Sequence, residues 1–151
     1  MKNFKIKSYC KINLSLRVLK KLKNGYHSIV SLITFCDLHD VITVSKINAF
    51  EDKISFSGPF KSGIDVKSNI ITKTLDLIRK KQLIRNQFYK INIQKNIPHG
   101  SGLGGGSSNA ANLLNYLNLK INKKKKLQIE SQIGSDVSVC LQKKNTFLKN
   151  N

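Results

Sequence analysis

The sequence predicts an α+β fold. Apolar residues alternating with a period of two dominate the first sixty positions. Stripes with a helical period take over in the second half, and a dense glycine cluster stands between a strand and a helix. The chain has 151 residues, 40% of them hydrophobic, enough for one domain with a real core but not two large ones.

Taken in order, Phe4 to Tyr9 and Ile12 to Val18 alternate like two half-buried strands. Asn24-Gly25 marks a turn. Ser28 to Phe35 and Asp40 to Val44 read as further strands, followed by a short one at Lys53 to Ser57. From Ser68 to Lys81 the apolar residues Ile70, Ile71, Leu75 and Ile78 form one helical face, with Ser68 placed to cap it. Phe88 to Gln94 alternates again. A helix is expected from Asn109 to Leu117 and another from about Lys124 to Ile133, stopped at Gly134. Val137 to Leu141 is short and apolar, and Lys143 to Asn151 looks like a turn and the opening of another strand.

No apolar run approaches the roughly 20 residues of a membrane span, and the basic N-terminus lacks the apolar stretch of a secretory signal. Cys10, Cys36 and Cys140 form no C-x-x-C pair and show no metal-ligand spacing with His27, His39 or His99. Buried reduced thiols in a cytoplasmic protein are expected, with no metal site of their own. The net charge of +19 raises nucleic acid as a partner. Of the 27 basic residues, however, only Arg17, Arg79 and Arg85 are arginine. Lys, Asn and Ile, all abundant here, share A/T-rich codons, so codon bias accounts for the charge. The run Lys123 to Lys126 reads as a solvated helix start, and neither a specific nucleic acid nor a membrane is expected as partner.

The stretch from Ile97 to Ala111 holds five of the nine glycines. A glycine turn feeding a helix presents free N–H groups and the positive end of the helix dipole, which suits a phosphate. The P-loop pattern fails because no lysine follows Gly106. A formal G-x-G-x-x-G exists at Gly100, Gly102 and Gly105, but no carboxylate stands at the distance needed to hold a ribose, so a dinucleotide site is not expected.

Four elements then fall in the order and spacing of one family: Cys10-Lys11-Ile12-Asn13-Leu14, Asn24-Gly25-Tyr26-His27, the glycine stretch from Ile97-Pro98 to Ala110-Ala111, and Gly134-Ser135-Asp136-Val137. On these the chain resembles the GHMP small-molecule kinases, and within them the branch acting on 4-diphosphocytidyl-2-C-methyl-D-erythritol. The resemblance implies the fold of the GHMP N-terminal domain (ribosomal protein S5 domain 2-like). It also implies ATP- and Mg²⁺-dependent phosphorylation of the 2-hydroxyl of a CDP-linked methylerythritol, in the non-mevalonate route to isoprenoid precursors.

On that pattern Lys11 and Asp136 are catalytic: Asp136 accepts or orients the hydroxyl proton, and Lys11 holds Asp136 ionised and offsets developing charge. Pro98, His99, Gly100, Ser101, Gly102, Leu103, Gly104, Gly105, Gly106, Ser107 and Ser108 wrap the ATP phosphates. His99 and Ser101 fill variable positions in that loop, and either Ser107 or Ser108 touches a phosphate oxygen or Mg²⁺. Lys95 helps hold the nucleotide. Asn13 bonds the polyol, Tyr26 stacks on cytosine, and His27 reads its polar edge. Tyr9-Cys10 and Ser138 depart from the residues usual in the family. Family members continue into a second domain, so residues 1–151 are expected to be the N-terminal ATP-binding domain, truncated at its end, with core surface and a strand edge exposed. The competing expectations are another GHMP kinase, such as a homoserine or mevalonate kinase, and a non-catalytic nucleotide- or RNA-binding module.

Overall fold

The computed structural model describes residues 2–21, 27–142 and 146–149. The Asn24-Gly25 turn and Tyr26 lie outside the described residues.

One five-stranded sheet carries the fold: β1 (Phe4–Lys21), β2 (His27–Ile47), β3 (Lys53–Ser57), β4 (Phe88–Gln94) and β5 (Thr146–Lys149). Its order is β1-β2-β4-β3. β1 runs antiparallel along β2 from Phe4↔Val44 to Lys21↔His27. The other edge of β2 is shared: residues 41–47 pair with β4, and Val30 to Ile33 pair with β5. β3 joins β4 in parallel.

β1 and β2 replace four expected strands. The breaks in hydrophobic alternation that suggest separate strands are register shifts inside continuous ones, at Tyr9/Cys10, Asn13/Ser15 and Val18/Lys20. The first matters most. Tyr9 faces His39 while Cys10 faces Cys36, leaving Asp37 and Leu38 as extra residues on β2. Such a bulge re-aims side chains. Here the consecutive residues Cys10 and Lys11 are both buried, which regular alternation forbids.

Four helices complete the chain: α1 (Ile70–Lys80), α2 (Gly105–Leu117), α3 (Lys123–Ile133) and α4 (Val137–Gln142). The core joins Ile42, Val44, Ile91 and Ile93 of the sheet to Ile71, Leu75 and Ile78 of α1 and Leu113 of α2. Asn69, not Ser68, caps α1: its Oδ1 accepts from the N–H groups of Ile71 and Thr72 at 2.8 and 3.1 Å. Helix α2 starts four residues earlier than its sequence suggests, because Gly105 and Gly106 are poor helix formers on propensity alone. A Cβ on Gly105 would stand 3.0 Å from Ile97 Cγ2, so close packing against the end of β4 selects glycine there. The short apolar stretch after Asp136 is helix α4. Lys123 to Lys126 open α3 and are exposed, with Asn122 capping. Along the outer half of β1, Leu14, Leu16 and Val18 are exposed.

Candidate phosphate loop and ion-paired site

Between β4 and α2 the chain turns through Gly100, Gly102 and Gly104, all at positive φ. Gly104 is the N-cap of α2, at φ +65°, and no side chain caps the helix. The first N–H groups of an α-helix have no partner within it. At this N-terminus they lie beside a cleft of about 380 Å³ lined by the loop from Pro98 to Ser107, with Phe56, Lys95, Asn69 and Asn109 among its other walls. Ser101 Oγ donates to the Pro98 carbonyl at 2.9 Å and helps fold the loop. Ser107 lines the cleft, whereas Ser108 does not: it is buried, and its backbone N–H closes the first helical turn on the Gly104 carbonyl at 2.8 Å. Of the two serines, Ser107 is therefore the one beside the loop's open side.

β1 meets this loop directly. The Lys11 N–H donates to the Leu103 carbonyl at 2.8 Å, and a Cβ on Gly104 would lie 3.1 Å from Lys11 Cβ. The Lys11 ammonium is buried, donates to Asn13 Oδ1 at 2.8 Å and pairs with Asp136 Oδ2 at 2.9 Å. Asn13 Nδ2 donates to Ser31 Oγ at 2.8 Å, and Ser31 donates to the Ser15 carbonyl at 2.7 Å. Asp136 sits at the start of α4, where its carbonyl accepts from the Cys140 N–H at 3.0 Å. A chain of polar contacts thus runs from Asp136 through Lys11 and Asn13 to Ser31. It borders the positive end of α2: a Cβ on nearby Gly134 would stand 3.9 Å from Ser107 Oγ.

The sequence reading missed Asp40. It is fully buried where β2 passes the start of the glycine loop. Its carboxylate pairs with the Lys95 ammonium and accepts from the N–H of Asn96 at 2.8 Å, the N–H of Ile97 at 2.9 Å and Asn109 Nδ2 at 2.8 Å. The only sequence signal was a carboxylate opening an apolar strand in a chain with eight acidic residues. Lys95 lines the cleft as expected of a nucleotide contact, but its ammonium is taken by Asp40.

His27 is not gathered with the other site residues. It is exposed at the end of the β1–β2 ribbon, eight residues along β2 from Phe35, the partner of Lys11; at strand rise that is about 26 Å.

The thiols are free, but not all are buried: Cys36 is partly exposed. Its Sγ lies 2.6 Å from that of Cys10. Burial and the Cys36 contact push the Cys10 thiol up to about 11. Burial pushes Cys140 up to about 12, with the Asp136 carboxylate adding to it. Among the described residues no group of three His, Cys, Asp or Glu side chains could hold a metal ion, and no helix is long and apolar enough to cross a membrane.

Comparison with known proteins agrees with this geometry. Residues 69–144 match the family described as GHMP kinases N terminal domain. A protein from Pelagibacter ubique named 4-diphosphocytidyl-2-C-methyl-D-erythritol kinase is 44% identical over 155 residues, covering 100% of this chain and 54% of its own length. One of the same name from Thermosipho melanesiensis is 43% identical, covering 90% of this chain and 48% of its own. The chain spans about half the length of the curated relatives it matches. A crystal structure of 4-(cytidine 5'-diphospho)-2C-methyl-D-erythritol kinase superposes with a TM-score of 0.73 at 23% identity, covering 97% of this chain and 52% of that one. A mevalonate pyrophosphate decarboxylase from Streptococcus pyogenes follows the same fold at 0.60 and 18%, covering 92% of this chain and 45% of its own. With the family match spanning half of its residues, and the glycine loop and α2 inside that match, the chain belongs to the GHMP kinases, as their N-terminal domain.

Proposed function

We propose that this chain forms the ATP-binding portion of a kinase that transfers the γ-phosphoryl group of MgATP to the 2-hydroxyl of 4-diphosphocytidyl-2-C-methyl-D-erythritol. The observation that carries this reading is the Lys11–Asp136 pair beside the uncapped N-terminus of α2. Phosphoryl transfer asks for positioning and charge neutralisation rather than covalent chemistry by the protein. The loop from Pro98 to Ser107 and the first N–H groups of α2 supply a cradle for the phosphates. Asp136 is partly exposed and accepts, or orients, the hydroxyl proton. Lys11 stands beside it, where it offsets charge developing on the transferred group.

Mg²⁺ would arrive with ATP in this reading and would offset the charge of the phosphates. Magnesium in phosphate sites takes one or two protein oxygens and completes its shell with phosphate and water. Ser107 Oγ and the Asp136 carboxylate fit that donor requirement. Asn13 would bond the polyol, with its amide already oriented by Ser31. Tyr26 and His27 remain the proposed reader of cytosine. ATP as substrate and three free thiols suit a cytoplasmic enzyme.

The test is ATP-dependent phosphate transfer to the CDP-alcohol, with homoserine and mevalonate as competing acceptors. It is run on this chain alone and on this chain joined to the C-terminal half of the Pelagibacter ubique relative. Phosphate transfer to the CDP-alcohol by either form supports the reading. Transfer only to another alcohol replaces the substrate, and ATP binding without transfer by the joined form leaves a binding module.

A further inference from the structure

Asn109 is 3% exposed and lines the cleft one helical turn beyond the glycine loop. Its Nδ2 donates to Asp40 Oδ2 at 2.8 Å, while its Oδ1 is buried with no hydrogen-bond partner among the described residues. The orientation of that amide is not free. Asp40 is fully buried, and its other partners, the Lys95 ammonium and the N–H groups of Asn96 and Ile97, are all donors. A carboxylate so surrounded is an acceptor only. Turning the Asn109 amide over would set carbonyl oxygen against carboxylate oxygen and lose the bond. Asp40 therefore fixes Asn109 with its NH₂ inward and leaves its carbonyl oxygen as an orphaned buried acceptor, which costs stability until something donates to it.

We propose that Asn109 is a specificity-determining residue that accepts a hydrogen bond from the nucleoside of the bound nucleotide, with Asp40 as its positioning residue. The proposal rests on the nucleotide reading of the cleft and refines it. Phosphate oxygens are acceptors and cannot satisfy Asn109 Oδ1, so this residue reads the nucleoside even though it follows the phosphate loop in sequence. Two nucleoside groups donate: the exocyclic amine of adenine and the ribose hydroxyls. A 6-oxo purine offers an acceptor where adenine offers its amine.

The experiment measures dissociation constants of MgATP, MgITP, 2'-deoxy- and 3'-deoxy-ATP, and inorganic tripolyphosphate by calorimetry, on the wild-type chain and on Asn109→Leu. Tripolyphosphate engages the phosphate loop alone. The expected result is an Asn109→Leu chain that binds MgATP about tenfold more weakly and tripolyphosphate unchanged. In the wild type, a comparable loss with MgITP identifies the base amine as the donor, and a loss with one of the deoxy nucleotides identifies the ribose. In Asn109→Leu that discrimination disappears. Asn109→Ser, smaller and too short to reach both partners, gives the same ratio if the leucine variant folds poorly. MgATP binding unchanged in both variants, or falling in step with tripolyphosphate, overturns the proposal while the nucleotide reading stands. A wild-type chain that binds neither ATP nor tripolyphosphate overturns both.

Discussion

The Lys11 ammonium lies 2.9 Å from Asp136 Oδ2, and the two side chains are unequally covered, 5% exposed for the lysine and 37% for the aspartate. The cation is held by Asn13 as well as by Asp136, with its stem packed against Gly104, while the carboxylate is partly exposed. In a catalytic pair that asymmetry suits a fixed cation and a carboxylate that can reach a substrate. Asp136→Asn preserves shape and removes the proton acceptor. In the form of the enzyme that transfers phosphate, kcat is expected to fall by about 10²- to 10⁴-fold. Lys11→Met should fall comparably, and the double variant little further, since groups acting as a unit are not additive. Full activity in Asp136→Asn would falsify its assigned role.

Gly104→Ala places a methyl 3.1 Å from Lys11 Cβ at a backbone φ of +65°. The left-handed conformation alone costs an L-residue about 1–2 kcal/mol. A melting temperature lower by about 2–8 °C is expected, read by circular dichroism. Because the added methyl pushes on the Lys11 stem, activity should fall by more than the small unfolded fraction explains. Gly100→Ala, where an added Cβ meets nothing within 4 Å, shares the backbone strain without the clash, so it should lose stability but not disturb Lys11.

Asp40→Ala leaves the Lys95 ammonium buried without its counter-charge and two loop N–H groups unpaired. Breaking a buried ion pair from one side costs about 3–5 kcal/mol. Urea denaturation should show that loss. Asp40→Asn with Lys95→Met, which removes both charges and keeps the carbonyl that receives Asn96 and Ile97, should recover most of it. A double variant as unstable as Asp40→Ala would show that the charge pair is not what the fold depends on.

Cys140 illustrates a pH effect whose sign follows from burial. Its thiol is pushed up to about 12 in the folded chain, against 9.0 for an unperturbed cysteine. The folded state therefore holds the proton more tightly than the unfolded one. That contribution to stability is complete below pH 9 and drains away as pH climbs from 9 toward 12. Cys140→Ala should flatten the alkaline limb of the stability curve while lowering its plateau, because a buried side chain has been trimmed. Alkylation at pH 8, read by mass spectrometry, should modify Cys36 first and leave Cys10 and Cys140 until the chain unfolds.

Much of this was legible in the sequence where one local signal suffices. Period-two alternation located β3 and β4, a helical stripe located α1, and Gly134 marked the end of α3. The glycine turn into a helix was legible too, and Lys11, Asn13 and Asp136, singled out by the resemblance to the family, meet in the fold. What escaped notice depends on contacts between distant segments. The long β1 and β2 looked broken because bulges shift the alternation without ending the strand. The first turn of α2 looked like loop because Gly105 answers to Ile97, not to helix propensity. Asp40 was invisible as a site residue, since its partners Lys95, Asn96, Ile97 and Asn109 lie more than fifty positions away. The pairing of Asn109 with Asp40, and hence its orphaned carbonyl, could not be read without them.

The pairing of β5 with Val30 to Ile33 has a consequence for how the protein is made. Ser31, which orients Asn13, belongs to the stretch of β2 that β5 covers, and Asp136 follows Lys11 by 125 positions. On a ribosome adding about 5–20 residues per second, Lys11 emerges roughly 6–25 s before its carboxylate partner. For that interval the nascent chain carries its cation without the carboxylate that pairs with it, and the glycine loop itself appears only in the last third of it. The site is therefore complete only once Asp136 has been made, although its first residue is among the earliest to be synthesised.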